Sequence, residues 1–272
     1  MRLAKASEVP PYVRTRYVLS GYRPLDSSCE KWSTIFRLHN ETANVWSSLL
    51  SFGWMVRRML ETSGETHGDA TARLCLTIFH CGSALCFGSS AIAHALAGLQ
   101  PPARSRQLWH MDLLGICCCL GGSIVPGIWW GFRCQRMTQL LYAAILILCT
   151  AASFRLTGAP LGSKRNQLFT AVVSCTAAFC LLPVVHWWGF VSTSLERADI
   201  LPETLMMFGC YLVGFCFYKF CPLERMWPGG PFDFVGSHFV WHVACAAAVA
   251  YWDRACMSMM RHYGINRGCP NS

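Results

Sequence analysis

The chain has 272 residues, of which 53% are hydrophobic and 14% charged, and its formal net charge is +9. A soluble domain carries about 25% charged residues, so this composition indicates a chain that lies largely in lipid. Nucleic-acid binding is not predicted, because the Lys and Arg residues occur in short runs between apolar segments and form no basic stripe with interleaved aromatic residues.

The first forty residues are polar and basic and lack the apolar core of a secretory leader. We expect residues 1–40 to form a cytosolic, basic and amphipathic segment at the membrane surface. Residues 41–253 are expected to form the membrane domain, and residues 254–272 a short C-terminal tail.

Seven apolar segments follow the basic segment, and they predict an all-α membrane protein with seven transmembrane helices. A full crossing needs about 20 residues, so the first segment, which stops before Arg57-Arg58, and the fourth are short. Pro126 and Pro183 predict a kink and a break. The predicted spans are Ala43 to Val56, Leu74 to Leu99, Met111 to Phe132, Leu140 to Phe154, Leu168 to Val191, Leu205 to Phe220 and Phe234 to Trp252.

The distribution of basic residues predicts the orientation of the chain. With seven crossings the two termini lie on opposite sides. The side that holds the N-terminus carries fourteen Lys and Arg residues, and the other side carries nine. The positive-inside rule therefore predicts a cytosolic N-terminus and an extracytosolic C-terminus.

Most of the 17 cysteines lie within the apolar segments, where they are interpreted as small, polarizable packing residues. No paired Cys-x-x-Cys arrangement of the zinc-ribbon type is present. The sequence therefore predicts no structural disulfide bonds.

Four ionisable side chains in the apolar segments share one side of the membrane. His94 ends the second span, Asp112 begins the third, and His238 and His242, one helical turn apart, begin the seventh. The end of span two and the starts of spans three and seven lie on the N-terminal side. Ionisable residues inside a membrane are costly and mark functional sites, so we expect these four to lie together.

Three imidazoles and a carboxylate are a donor set typical of zinc, with one position left open for water. Zinc would lower the pKa of that water to about 7 and provide a nucleophile. Asp112 would act through the water as general base, and Ser90, four residues before His94, would orient it. The alternative is a set of hydrogen-bonded intramembrane histidines without a metal. His80 and His186 are expected to lie away from the cluster.

Further motifs extend along nearly the whole chain and make it resemble the progestin and adipoQ receptors, which include the adiponectin receptors. They are Gly21-Tyr22-Arg23-Pro24, His39-Asn40-Glu41-Thr42 with Asn44-Val45-Trp46, Ser90-x-x-x-His94, Asp112 with Gly115, Gly122-Ser123-x-Val125-Pro126, Pro183-x-x-His186, Glu224-Arg225 with Pro228-Gly229 and Phe232-Asp233, and Ser237-His238-x-x-x-His242.

The resemblance implies seven helices, a cytosolic N-terminus and zinc held by His94, His238 and His242, with Asp112 and Ser90 beside it. It also implies a signalling receptor that responds to an extracellular or steroid ligand. Ceramide or free fatty acid would occupy the helix bundle, and a latent ceramidase-like centre would hydrolyse the lipid amide. The alternative is a receptor or scaffold with purely structural zinc. The expected location is the plasma membrane, with the endoplasmic reticulum or Golgi as the alternative.

Overall fold

A computed structural model of the chain describes residues 2–24, 31–66, 69–156 and 164–263. Within these ranges the regular structure is helical, apart from one isolated antiparallel bridge between Ala4 and Tyr22. The helices are α1 (Thr42–Glu65), α2 (Ala70–Leu96), α3 (Pro102–Gly131), α4 (Arg136–Leu156), α5 (Lys164–Phe179), α6 (Leu181–His186), α7 (Ser194–Phe220), α8 (Pro222–Met226) and α9 (Ser237–Tyr263). The expected all-α class is confirmed.

Among the residues that the structure describes, five helical runs are long and apolar enough to cross a membrane: Ala70–Leu99, Pro102–Gly131, Arg136–Leu156, Gln167–Val191 and Ser194–Phe220. The first and last long helices, α1 with 24 residues and α9 with 27, also have the length of a crossing but carry more charge. Together these runs make the seven spans that the sequence predicts.

Arg57 and Arg58 do not end the first helix, contrary to the short first segment expected from the sequence. Helix α1 continues to Glu65, and the Arg57 Nε atom lies 2.6 Å from Glu61 Oε1. Arg58 Nη1 lies 3.0 Å from the other oxygen of Glu61. Pairs of opposite charge three or four residues apart support a helix, which explains why two adjacent arginines are accommodated here.

The prolines in the spans differ in effect. Helix α3 continues through Pro126. The fifth span is interrupted as predicted around Pro183: α5 ends at Phe179, α6 contains the proline, and the π-helical turn Trp187–Val191 follows. Proline lacks the N–H that the regular hydrogen-bond pattern requires, which accounts for the break.

The prediction that no cysteine forms a disulfide bond is wrong at one position. Cys134, in the turn between α3 and α4, is disulfide-bonded. Fourteen other cysteines in the described part of the chain are free. The prediction failed because it weighed cysteines inside the apolar segments and gave no separate weight to one in a loop.

The chain divides into two compact units. The first comprises residues 1–51, 87–112 and 208–248, and it contains all five residues that the sequence nominated for the metal centre. In this unit Val9, Val18 and Tyr22 form a small buried cluster within the N-terminal segment.

The second unit comprises residues 52–86, 113–207 and 249–272. The parts of α2 and α3 in this unit approach closely where Gly82 faces the backbone of Cys118 and Gly122 faces the carbonyl of Ile78. Small residues at helix crossings allow such contact between backbones, which is typical of membrane proteins.

Candidate metal centre

Three histidines in the first unit bring ring nitrogens together. His94 belongs to α2, and His238 and His242 lie one turn apart on α9. The Nε2 atom of His238 is 3.2 Å from that of His94 and 3.1 Å from that of His242. In the described part of the chain, these three residues are the group of His, Cys, Asp and Glu side chains arranged to hold a metal ion.

The spacing of the three nitrogens fits a tetrahedral ion. Zinc–nitrogen bonds of about 2.0–2.1 Å at tetrahedral angles place two ligand nitrogens about 3.3 Å apart. The two observed separations, 3.2 and 3.1 Å, agree with this value. The residues present therefore fit the metal that the sequence predicts.

The tautomer of His94 is set by a carboxylate. Glu41 Oε2 lies 2.7 Å from the Nδ1 atom of His94, and Glu41 also accepts a hydrogen bond from Asn44 Nδ2 at 2.7 Å. An ionised carboxylate only accepts hydrogen bonds, so Nδ1 of His94 carries the proton and the Nε2 lone pair of a neutral ring is free. Such a carboxylate–histidine pair is the usual support of a metal ligand.

His242 is oriented in the same way by α1. Its Nδ1 atom lies 3.2 Å from the carbonyl oxygen of Asn44, 3.1 Å from Ser47 Oγ and 3.0 Å from Ser48 Oγ. The carbonyl only accepts, so Nδ1–H donates to it and the Nε2 lone pair of His242 also faces the cluster. Two lone pairs thus point at His238 Nε2, which carries at most one hydrogen. A cation removes this mismatch.

The start of α9, and with it His238, is fixed by a second buried carboxylate. The backbone N–H of Ser237 donates to Glu224 Oε1 at 2.7 Å, and the Ser237 hydroxyl donates to the other oxygen. Ser237 is fully buried and Glu224 is nearly so. Acidic groups are favourable at a helix N-terminus, so this contact positions the first turn that carries His238.

Ser90 and Asp112 line the same centre. The Ser48 hydroxyl donates to Ser90 Oγ at 3.2 Å. The Asp112 carboxyl interacts with Ser90 by a hydrogen bond and with His94 electrostatically. The indole of Trp109 lies edge-on to the His94 ring, with ring centroids 5.0 Å apart. The arrangement places a carboxyl and a hydroxyl beside the three imidazoles.

His39, which lies just before α1, is held in its neutral form by its surroundings. Burial, with a further contribution from the Arg23 charge, lowers the pKa of His39 to about 4. Burial also lowers the pKa of Arg23 to about 10, which leaves its guanidinium charged at neutral pH. The positive charge beside the centre is therefore carried by the arginine.

The structure brings together His94, His238, His242, Asp112 and Ser90, the five residues nominated from the sequence. His80 and His186 belong to the second unit, where His80 pairs with Asp253 at 2.7 Å and His186 with the Tyr142 hydroxyl at 3.0 Å.

Sequence reasoning assigned no role to the residues that orient the histidines: Glu41, Asn44, Ser47 and Ser48. A signal for them was present. The start of the first span lies on the same side as the end of the second, so the carboxylate at position 41 belonged with the cluster by the same argument that grouped the histidines.

Comparison with known proteins agrees with these features. Residues 36–252 match the family model described as haemolysin-III related. Progestin and adipoQ receptor family member 3 of Mus musculus is 25% identical over 286 residues, which covers 100% of this chain and 90% of the relative. Heptahelical transmembrane protein 3 of Arabidopsis thaliana is 28% identical, covering 89% of this chain and 83% of the relative.

The adiponectin receptor protein of Drosophila melanogaster is also 28% identical, covering 89% of this chain and 56% of that protein. The match to the family model includes every residue of the metal centre described above. The chain therefore belongs to the haemolysin-III-related family of seven-helix membrane proteins, which includes the progestin and adipoQ receptors.

Proposed function

We propose that this protein is a membrane receptor with a zinc centre at His94, His238 and His242 that hydrolyses a lipid amide of the ceramide class. The observation that carries the proposal is the convergence of three Nε2 atoms whose partner nitrogens donate to fixed acceptors, beside a carboxyl and a hydroxyl. Three protein ligands leave one position for water or substrate, as in catalytic zinc sites.

Zinc is proposed because neutral imidazoles suit it and the spacing of the nitrogens matches a tetrahedral ion. When bound, the ion supplies Lewis acidity, which lowers the pKa of a coordinated water to about 7 and polarises a carbonyl oxygen. The contribution of the chain is to hold the three rings in one tautomer and one orientation.

Asp112 is proposed as the general base and acid, and Ser90 as the group that orients water or the substrate carbonyl. Asp112 accepts a proton from the attacking water as the new C–O bond forms. It then donates that proton to the amide nitrogen as the C–N bond breaks. One amide and one water thus give a fatty acid and an amine, and the carboxyl returns to its first state.

A lipid substrate is favoured by the position of the site. His94 and Asp112 lie within runs of the chain that are apolar enough to cross a membrane. An amide with a long acyl chain can bring its carbonyl to this depth from the bilayer. The names of the relatives support a receptor role, and we propose an extracellular or steroid ligand as its trigger.

Cys134 supports the proposed orientation. Disulfide bonds form and persist in oxidising compartments, and the turn after the third span lies on the side opposite the N-terminus. It therefore supports the proposal that the N-terminus and the metal centre lie on the cytosolic side. The plasma membrane is the proposed location.

The test combines metal analysis with turnover in detergent-purified protein. We expect about one zinc per chain in the unmodified protein, loss of metal in His242→Ala, and retained metal in Asp112→Asn. Ceramide hydrolysis should fall by roughly 10²- to 10⁴-fold in Asp112→Asn, the usual contribution of a general acid–base group. A folded preparation without bound metal would contradict the proposal.

The competing role is structural, and the same experiment separates it. The centre connects α2 with α9, so a bound ion would hold the two helices together without chemistry. If zinc removal lowers the melting temperature while no lipid amide is turned over, the structural role is correct.

A further inference from the structure

Arg23 reaches the end of α2 at the residue that supplies a metal ligand. Its side chain is almost completely buried, with 4% of its surface exposed. Nη2 donates to the carbonyl oxygen of His94 at 3.0 Å, and Nη1 donates to the carbonyl of Ala95 at 2.6 Å and to the hydroxyl of Thr34 at 3.1 Å. The guanidinium thus hydrogen-bonds to the backbone of His94, the proposed metal ligand.

Those carbonyls need a partner. The last four carbonyls of an α-helix lack intrahelical donors, and α2 ends at Leu96. A cation at this end is also favourable to the helix dipole. The planar guanidinium bonds two successive carbonyls at once, so it fixes both the position and the direction of the turn that carries His94.

Gly21 and Tyr22, which precede Arg23, hold the backbone from which its side chain extends. Gly21 adopts a φ of +84°, and a side chain there would press on Phe234 and on the backbone of Asn40. The Gly21 carbonyl accepts a hydrogen bond from Asn40 N–H at 2.8 Å, and Tyr22 pairs with Ala4 through two backbone bonds. The turn is therefore tied on both sides immediately before the arginine.

We propose that Arg23 is a positioning residue for the metal centre: by holding the main chain at His94 it sets where that imidazole meets His238 and His242. The inference rests on the proposed metal binding at these histidines. It gives the N-terminal segment a direct role at the centre, and it adds a residue that does not contact the ion.

A second anchor of the same segment offers a comparison. Asp233 Oδ2 accepts hydrogen bonds from the backbone N–H groups of Leu19 and Ser20 at 3.0 and 2.7 Å. None of the hydrogen bonds recorded for Asp233 reaches α2. Asp233→Asn should therefore loosen the segment without removing either hydrogen bond between Arg23 and α2.

The experiment measures metal affinity by competition with a chromogenic chelator in the full-length protein. Arg23→Gln should bind zinc about 10- to 100-fold more weakly, the usual effect of losing a group that orients a ligand. Arg23→Lys should recover part of the loss, since one ammonium can bond one carbonyl. The control Arg16→Gln removes the same charge from an exposed position in the same segment and should stay within about twofold.

Hydrogen exchange of the metal-free protein gives an independent reading. In Arg23→Gln and Arg23→Lys the amides at the end of α2 should exchange faster than in Arg16→Gln. Zinc affinity that is unchanged in a folded Arg23 variant overturns the inference and leaves the proposed function standing. An equal loss in Asp233→Asn overturns it too, because the effect would then belong to docking of the segment. If the unmodified protein binds no zinc, the proposed function fails, while the exchange rates still test whether Arg23 holds the end of α2.

Discussion

Glu41 Oε2 and His94 Nδ1 lie 2.7 Å apart although the two residues are separated by 53 positions in the sequence. A carboxylate just before α1 therefore determines which nitrogen of a ligand on α2 carries its proton. The orientation of the candidate metal centre therefore depends on a residue outside its three histidines.

The first prediction concerns this carboxylate. Glu41→Gln retains an oxygen that accepts from His94 Nδ1–H but loses the charge that makes the ring a stronger donor. Zinc affinity should fall by about 10- to 100-fold in a chelator competition. Glu61→Gln is the matched control, because Glu61 pairs with the exposed Arg57 in the second unit. Equal affinities for the two variants would contradict the assignment of Glu41.

The second prediction is a pH dependence from His39. Its folded pKa is about 4 against an ordinary value of 6.5, so between these values the unfolded chain binds more protons than the folded one. Stability is then fully present above pH 6.5 and is lost as the pH falls toward 4. The difference between a pKa of 6.5 and one of about 4 corresponds to about 3 kcal/mol of stability.

His39→Gln removes this titration and should flatten the loss of melting temperature between pH 6.5 and 4. The comparison is made on metal-free protein, so that protonation of the ligands affects both variants equally. Parallel pH profiles for the two proteins would show that His39 is not buried in its neutral form.

The third prediction concerns a buried charge network in the second unit. Asp253 accepts from Arg58 Nε at 2.8 Å and from His80 Nε2 at 2.7 Å, and its side chain is 6% exposed. Asp253→Ala leaves Arg58 without this buried partner, which typically costs about 3–5 kcal/mol. Thermal unfolding in detergent measures the loss.

Arg254→Ala is the control for that experiment. Arg254 pairs with Glu203 at 3.0 Å, but 54% of its side chain is exposed, so about 1 kcal/mol or less should be lost. Similar melting temperatures for the Asp253 and Arg254 variants would mean that the network is open to water.

The fourth prediction tests the crossing of α2 and α3. A methyl group at Gly82 would overlap the carbonyl oxygen of Cys118, whereas one at Gly53 would meet nothing within 4 Å. Gly82→Ala should destabilise the protein by about 1–3 kcal/mol, because a backbone atom cannot move aside cheaply. Gly53→Ala should leave stability unchanged or raise it, since alanine is the better helix former. Gly82→Ala should therefore melt at a lower temperature than Gly53→Ala, and the reverse order would contradict the close approach of α2 and α3.

Much of the site was accessible from the sequence because membrane crossings convert order along the chain into depth. Alternation of the spans placed His94, Asp112, His238 and His242 at one level, and the structure brings them together. The same alternation also reached Glu41, but a single carboxylate before a span looks like an ordinary loop residue.

Other features depended on pairings that a span-by-span reading does not register. Arg57 and Arg58 stay within α1 because Glu61 lies three and four residues further on. The hydrogen bonds from Arg23 to the end of α2 depend on a turn at Gly21. The composition of the segment does not predict the positive φ of that turn. The first is a set of contacts within one helix, and the second joins segments about 70 residues apart in the chain.

The disulfide at Cys134 has a consequence for how newly made chains mature. Thiols are oxidised in the secretory lumen, whereas the imidazole cluster, in the proposed orientation, would take the proposed ion from the reducing cytosol. Newly made chains would thus be completed from both faces of the membrane, by an oxidant on one and a metal supply on the other. A shortage of oxidant would leave chains that lack the disulfide bond, and a shortage of metal would leave chains that lack the proposed ion.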